Sequence, residues 1–229
     1  MKRVKKVAIG AFLLSHTIFG AAYADPVTTL VGATVDFTFD SHLLGLFGTP
    51  SVSGDTLYFT PTNFKSTSLN GTGYAITQDT INILVTAHTG WSFGKTDLIE
   101  EGDYLLLGTG NTATVTGQIR VFDIADPLNQ ATDSIVSAPL TLSGFPTKNW
   151  VANASVDISS WTTANTVNVT IENILVTSTS LPVSLAFLEK KFVALNVITS
   201  PVPEAETYSM MLAGLGLVGF MVARRRQRV

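Results

Sequence analysis

Val31-Gly-Ala-Thr-Val-Asp-Phe-Thr-Phe39 carries an apolar residue at every second position: Val31, Ala33, Val35, Phe37 and Phe39. A period of two sends those side chains to one face of a pleated strand and leaves Thr34, Asp36 and Thr38 on the other. The reading extends outward in both directions. Leu57-x-Phe59 keeps the alternation until Pro61, which suits an edge or a turn. Ile81-x-Ile83-x-Val85 resumes it after turn signals at Asn70-Gly71 and Gly73. Tyr104 to Leu107 is a short run closed by Gly108-Thr-Gly110. Val115-x-Gly117-x-Ile119-x-Val121 has a glycine on its apolar face, a sign of a bulge or a close approach. Val151 to Ile158, Val167-x-Val169-x-Ile171 and Phe187 to Ile198 complete the set, and no long stretch shows a 3.6 period. Roughly ten strands with one apolar face each predict an all-β, two-sheet β-sandwich of jelly-roll type, with an immunoglobulin-like sandwich as the nearest alternative.

Both ends of the chain read differently. Lys2, Arg3, Lys5 and Lys6 precede a mostly apolar stretch from Val7 to Phe19, and Ala22-Tyr23-Ala24 is a small-x-small cleavage site. This is the pattern of a secretory signal peptide, which predicts a mature chain starting at Asp25 after passage through the Sec translocon and signal peptidase. At the other end, Tyr208 to Ala223 carries no charge, and Arg224, Arg225, Arg226 and Arg228 follow it. Sixteen helical residues reach about 24 Å, somewhat short of a hydrocarbon core of about 30 Å, and snorkelling arginines close part of the gap. The segment is predicted to be a single transmembrane helix with its basic tail in the cytoplasm.

Three features follow one another here: Val202-Pro203-Glu204, the Gly/Leu-rich Leu212-Ala-Gly-Leu-Gly-Leu-Val-Gly-Phe220, and the arginine cluster. In this order they resemble the PEP-CTERM sorting signal of Gram-negative bacteria, with Ala205 standing where a second proline is common. The resemblance implies processing by an exosortase, a membrane cysteine protease-transpeptidase, and delivery to the cell surface or extracellular matrix. Upstream, Leu46 to Leu57 and Glu101-Gly-Asp-Tyr104 are loosely similar to the β-rich domains found ahead of such signals, and that likeness implies no activity. The expected organisation is a signal peptide at 1–24, an exported β-domain at 25–199, a Pro/Glu hinge and sorting motif at 200–207, a membrane helix at 208–223 and a basic tail at 224–229. The Pro-rich Thr199-Ser-Pro-Val-Pro203 is expected to be an extended spacer.

Between the two ends the domain holds six basic residues against fifteen acidic ones, a net charge near −9, whereas the whole chain is −3. That excess argues against nucleic acid and anionic lipid as partners and is compatible with divalent cations or neutral glycans. With no cysteine in the chain, neither disulfides nor thiol chemistry enter.

Candidate chemistry is thin. Past the leader only His42 and His88 remain as near-neutral bases, no Gly-x-Ser-x-Gly elbow occurs, and surface or packing roles suit both histidines better. Two acidic groups are candidate calcium ligands: Asp97, Glu100, Glu101 and Asp103, and then Asp123 with Asp126. Neither follows the EF-hand spacing, and solvated loops explain them equally well. Trp91, Trp150 and Trp161, with Tyr58 and Tyr74, could form an aromatic platform for a glycan, although tryptophans capping the core are the simpler reading. The expected function is a non-enzymatic surface or matrix protein associated with exopolysaccharide or biofilm. The alternative is a secreted glycan hydrolase, whose carboxylate pair the sequence does not single out.

Overall fold

The stretch that suggests one strand is two. In the structure, a computed structural model that describes residues 27–202 and 205–226, β1 (Val27–Val31) and β2 (Val35–Asp40) form an antiparallel hairpin. In the helix at Ala205–Arg226, side chains are described at 209–221 and 224 only. The chain reverses because the Gly32 N–H donates to the Val35 carbonyl at 2.8 Å, and Asp55 caps the turn by accepting from the Thr34 N–H at 2.7 Å. The turn also breaks the parity of the alternation. Val35 and Phe37 are fully buried, whereas Val31 is 67% exposed and Leu30 takes the inward position instead. One residue of slip exchanges the two faces of a strand.

Ten more strands follow: β3 (Pro50–Ser53), β4 (Thr56–Phe59), β5 (Lys65–Leu69), β6 (Gly73–Ala87), β7 (Trp91–Leu107), β8 (Asn111–Asp123), β9 (Gln130–Ser137), β10 (Lys148–Asp157), β11 (Thr166–Thr179) and β12 (Leu185–Pro201). Helix α1 (Ala205–Arg226) ends the described chain. The strands make one twelve-stranded antiparallel sheet in the order β1-β2-β6-β11-β8-β9-β10-β7-β12-β4-β3, with β5 also on β12. The fold is therefore all-β as expected, but its two faces belong to a single, nearly closed barrel-like sheet. The link is β9, which pairs with β8 over Thr116–Phe122 and touches β10 only at Ala152 and Asn153.

The two free edges meet at one pole, where the Ala33 N–H donates to the Gly54 carbonyl at 3.2 Å. At the opposite pole β5 closes the gap through hydroxyls. Ser66 and Ser68 donate to the carbonyls of Ala75 and Gly73 at 2.8 and 2.6 Å, and pair with the hydroxyls of Thr177 and Thr179 at 2.9 and 2.8 Å. The Asn70-Gly71 turn between β5 and β6 has positive φ at both residues (51° and 76°) and is closed by the Thr72 N–H donating to the Leu69 carbonyl at 3.0 Å.

Between the faces lies an apolar core. Phe47, in a one-turn 3-10 helix at Gly45–Phe47, packs edge-on against Phe59 and Phe64 with ring centroids 5.7 and 5.6 Å away. Gly117 marks a close approach and not a bulge: the β8–β11 ladder runs unbroken past it, and a Cβ there would lie 2.1 Å from the Glu172 carbonyl.

Two further expectations change. Tyr104–Leu107 is only the end of β7, whose 17 residues include the acidic stretch read as loop. Asp97, Glu101 and Asp103 alternate with Thr96, Leu98 and Tyr104, so the pleat can carry charge outward on a long strand. The spacer is not free either, because β12 keeps its pairing with β7 as far as Pro201. The leader, with Ala22 and Ala24, and also Pro203, Glu204 and Arg228, lie outside the described residues.

Candidate functional site

The end of β12 and the start of β7 meet at the pole from which α1 departs. Thr199, Ser200 and Pro201 register with Phe93, Ser92 and Trp91, after a register shift between Ile198 and Thr199. Val202 then donates its N–H to the Gly90 carbonyl at 2.8 Å, so the first sorting-motif residue is tied to the β6–β7 turn. The hydroxyls of Thr199 and Thr34 lie 2.7 Å apart, and Thr34 donates to Asp55 at 2.6 Å. His88 faces Asp36 with Nε2 to Oδ1 at 2.9 Å. Among the described residues no hydroxyl is hydrogen-bonded to that imidazole, so it has a carboxylate partner but no nucleophile. A cleft of about 510 Å³ opens here, walled by His88, Trp91, Thr162, Asn165 and Val202.

A second, larger groove of about 580 Å³ lies where β2 stops short of covering β6. Its polar groups are Asp40, His42, Asp79, Asn82 and Asn168, set against apolar walls from Val27, Leu43 and Leu84. Asp79 accepts from the Leu46 N–H at 2.5 Å and the Thr80 N–H at 2.8 Å, while Asp40 accepts from the His42 N–H at 2.8 Å. Asn82 accepts from the Thr170 hydroxyl at 2.8 Å. Asn168 Oδ1 is buried with no hydrogen-bond partner among the described residues. Asp79 and Asn168 are far apart in sequence and line one groove because β11 pairs along β6, where they register with Asn173 and Leu84. Nothing local in the sequence signals this groove.

The acidic groups do not assemble as their sequence proximity suggests. Glu100 points inward and is fully buried, whereas Glu101 is exposed and Asp97 and Asp103 occupy outward positions of β7. Asp97 pairs with Lys95 at 2.8 Å, and Asp103 accepts from Lys191, which raises the Lys191 pKa above its ordinary value. Asp123 is buried and accepts from the Ala125 N–H at 2.9 Å, and Asp126 accepts from the Leu128 N–H at 3.3 Å. Among the described residues no group of three or more His, Asp or Glu side chains is placed to hold a metal ion.

Nor do the tryptophans share a face. Trp150 is buried and donates its indole N–H to the Glu189 carbonyl at 3.1 Å, Trp161 packs on the core, and Trp91 lines the smaller cleft. Tyr58 lies against Phe192 with centroids 5.9 Å apart, and Tyr74 is exposed at the start of β6. Trp150 belongs instead to a buried charge centre that sequence reasoning missed. Lys190 and Glu100, both fully buried, form an ion pair, and the Asn173 amide of β11 donates to the other Glu100 oxygen at 2.8 Å. The ammonium lies 5.2 Å from the Phe64 ring centre and 5.9 Å from that of Trp150. Burial holds the Lys190 pKa below its ordinary value, and the Glu100 charge opposes that shift. Because Glu100 sits beside Glu101, residue type alone does not show which of the two turns inward.

The described tail is a helix whose side chains, Ser209–Met221 and Arg224, are all exposed. Among the described residues no helix is long and apolar enough to cross a membrane. The class defined by these features is an all-β domain whose last strand is followed, three residues on, by an uncovered apolar helix. Residues 201–226 match the PEP-CTERM protein-sorting motif, so the chain carries that signal, which implies an exosortase as processing partner and an exported protein held at a membrane before processing. The motif covers only this end of the chain.

No curated protein sequence matches the chain. Among solved structures, the enzymatically active domain of bacteriophage CBA120 tailspike protein 4 is 13% identical, over 75% of this chain and 19% of that one, with a TM-score of 0.24. A carbohydrate-binding module from the β-sandwich superfamily is 8% identical over 76% of this chain and 97% of that one, with a TM-score of 0.21. The chain thus spans about a fifth of the tailspike protein, and neither likeness carries a functional argument.

Proposed function

We propose that the chain is a non-enzymatic surface or matrix protein, exported through its leader and anchored in the inner membrane by the helix at 208–223. An exosortase then cuts it at the Pro203-Glu204 motif, and the freed β-domain associates with exopolysaccharide outside the cell. The observation that carries this reading is the sorting-motif match over 201–226 directly after the last strand. Two features support it. The helix leaves Met210, Leu212, Leu215 and Phe220 more than half exposed, an apolar surface that water disfavours and a bilayer accepts. The β2–β6 groove combines apolar walls with carboxylate and amide groups, the mixture that binds the two faces of a sugar. A neutral glycan also suits the acidic domain better than an anionic polymer does.

Replacing Pro203 and Glu204 with alanine tests the sorting. The expected outcome is an uncut precursor retained in the inner membrane, larger by about 25 residues given the tail that follows the motif. Unchanged size and surface delivery would overturn the reading. Glycan association is tested by pull-down on the producing organism's exopolysaccharide, where Asp40→Ala with Asn82→Ala is expected to reduce retention at least tenfold, about 1.4 kcal/mol.

A further inference from the structure

Enzymes that cut a peptide take it as an extended strand, using the main-chain hydrogen bonds of several residues around the target bond. Here those residues are already occupied. The Val202 N–H is bonded to Gly90 at 2.8 Å, and Thr199, Ser200 and Pro201 register with β7. The Val202-Pro203-Glu204 motif starts at Val202 itself, which this bond holds against the β6–β7 turn beside the cleft wall at Trp91.

Thr199–Val202 is also set apart from the rest of β12. The register shift after Ile198 interrupts the ladder just upstream, and Pro201 contributes no N–H donor. Ser200, Pro201 and Val202 are exposed, whereas Val193, Leu195 and Val197 are buried in the core. Beyond its short ladder with β7, three contacts fix the segment: the Val202 N–H to Gly90, the hydroxyl pair Thr199–Thr34 at 2.7 Å, and Ser92 donating to the Ser200 carbonyl at 3.3 Å. Ser200, Pro201 and Val202 carry no buried side chain, so the ladder end and these three contacts can break without exposing Val193, Leu195 or Val197.

We propose that Thr199–Val202 is a detachable latch, paired with β7 in the resting protein, and that it must peel off the sheet before the membrane protease can engage the adjoining motif. This rests on the sorting reading above. The fold thereby makes processing depend on a local opening of its last strand, and the cut protein re-forms the pairing and keeps its new terminus against the cleft at His88 and Trp91.

The chain has no cysteine, so Ser92→Cys with Ser200→Cys introduces a single pair at registered positions, with Cα separations within disulfide range. Processing of the full chain is followed by pulse-chase in cells that carry the exosortase, with and without reductant. The latch predicts cleavage at least tenfold slower in the oxidised form, recovering when the bond is reduced. Oxidised and reduced forms cut at rates within twofold would overturn the latch and leave the sorting reading intact. A parent chain that stays uncut although exosortase is present overturns both. Thr199→Ala serves as a second variant should the cysteine pair misfold. Losing the hydroxyl pair with Thr34 is expected to speed cleavage at least threefold, and an unchanged rate would again overturn the latch.

Discussion

At the scale of single residues, the fold depends on a charge centre that no surface inspection reveals. Lys190 and Glu100 each satisfy the other in a site without solvent exposure, and removing one leaves the other as an uncompensated buried charge. Glu100→Leu is expected to destabilise by about 3–5 kcal/mol in urea denaturation, whereas Glu100→Leu combined with Lys190→Met should stay near the parent or exceed it by about 1–4 kcal/mol. The pH dependence follows from the lowered Lys190 pKa. Between that value and the ordinary 10.5, the native state binds fewer protons than the unfolded chain, so stability from this group rises with pH. Below the folded value the full cost of burying the ammonium is present. The advantage of the double variant should therefore shrink as the pH is raised through the folded value towards 10.5, and an advantage independent of pH would refute the assignment. Gly102 is the neighbouring constraint. A Cβ there would sit 1.9 Å from the Glu189 carbonyl and 2.8 Å from the Trp150 ring, so Gly102→Ala is expected to abolish soluble expression of the domain.

At the scale of elements, turns hold the closure together. Asp55, in the β3–β4 turn, accepts from the Thr34 N–H, the Thr34 hydroxyl and the Val35 N–H, and so joins the two free edges of the sheet. Asp55→Ala leaves those donors unsatisfied and should lower stability by about 1–3 kcal/mol, read as a shift in the denaturation midpoint without change of slope. The same turn holds Thr34 beneath Thr199, which connects closure to the end of β12. Amide exchange should report the division inside that strand. The Val202 N–H is expected to exchange with a protection factor at least a hundredfold lower than those of Val193–Val197, because only local opening is needed. Equal protection along β12 would contradict a separable end.

At the scale of the whole molecule, sequence and tertiary structure settled different questions. Periodicity by itself determined the all-β class, most strand locations and the Asn70-Gly71 turn, because a two-residue period and left-handed turn residues are local properties. The ordered motif, apolar segment and arginine cluster were equally local, and the sorting signal was legible from them. Parity across a turn was not, so Val31 and Ala33 were assigned to a face they do not share with Phe37. Two sheets became one because β9 pairs on both sides, a long-range choice that an amphipathic strand pattern allows without specifying. The acidic run in β7 shows the same limit from the side of chemistry. Residue type announced carboxylates, but pleat parity sent Glu100 into the core and its neighbours outward, so sequence neighbours became spatial strangers. Asp79 and Asn168 came to line one groove for the converse reason, because pairing lays β11 along β6 across a long intervening chain. Only the folded sheet could show that the supposed spacer ends as strand, since pairing with β7 is a property of the partner as much as of Thr199–Pro201.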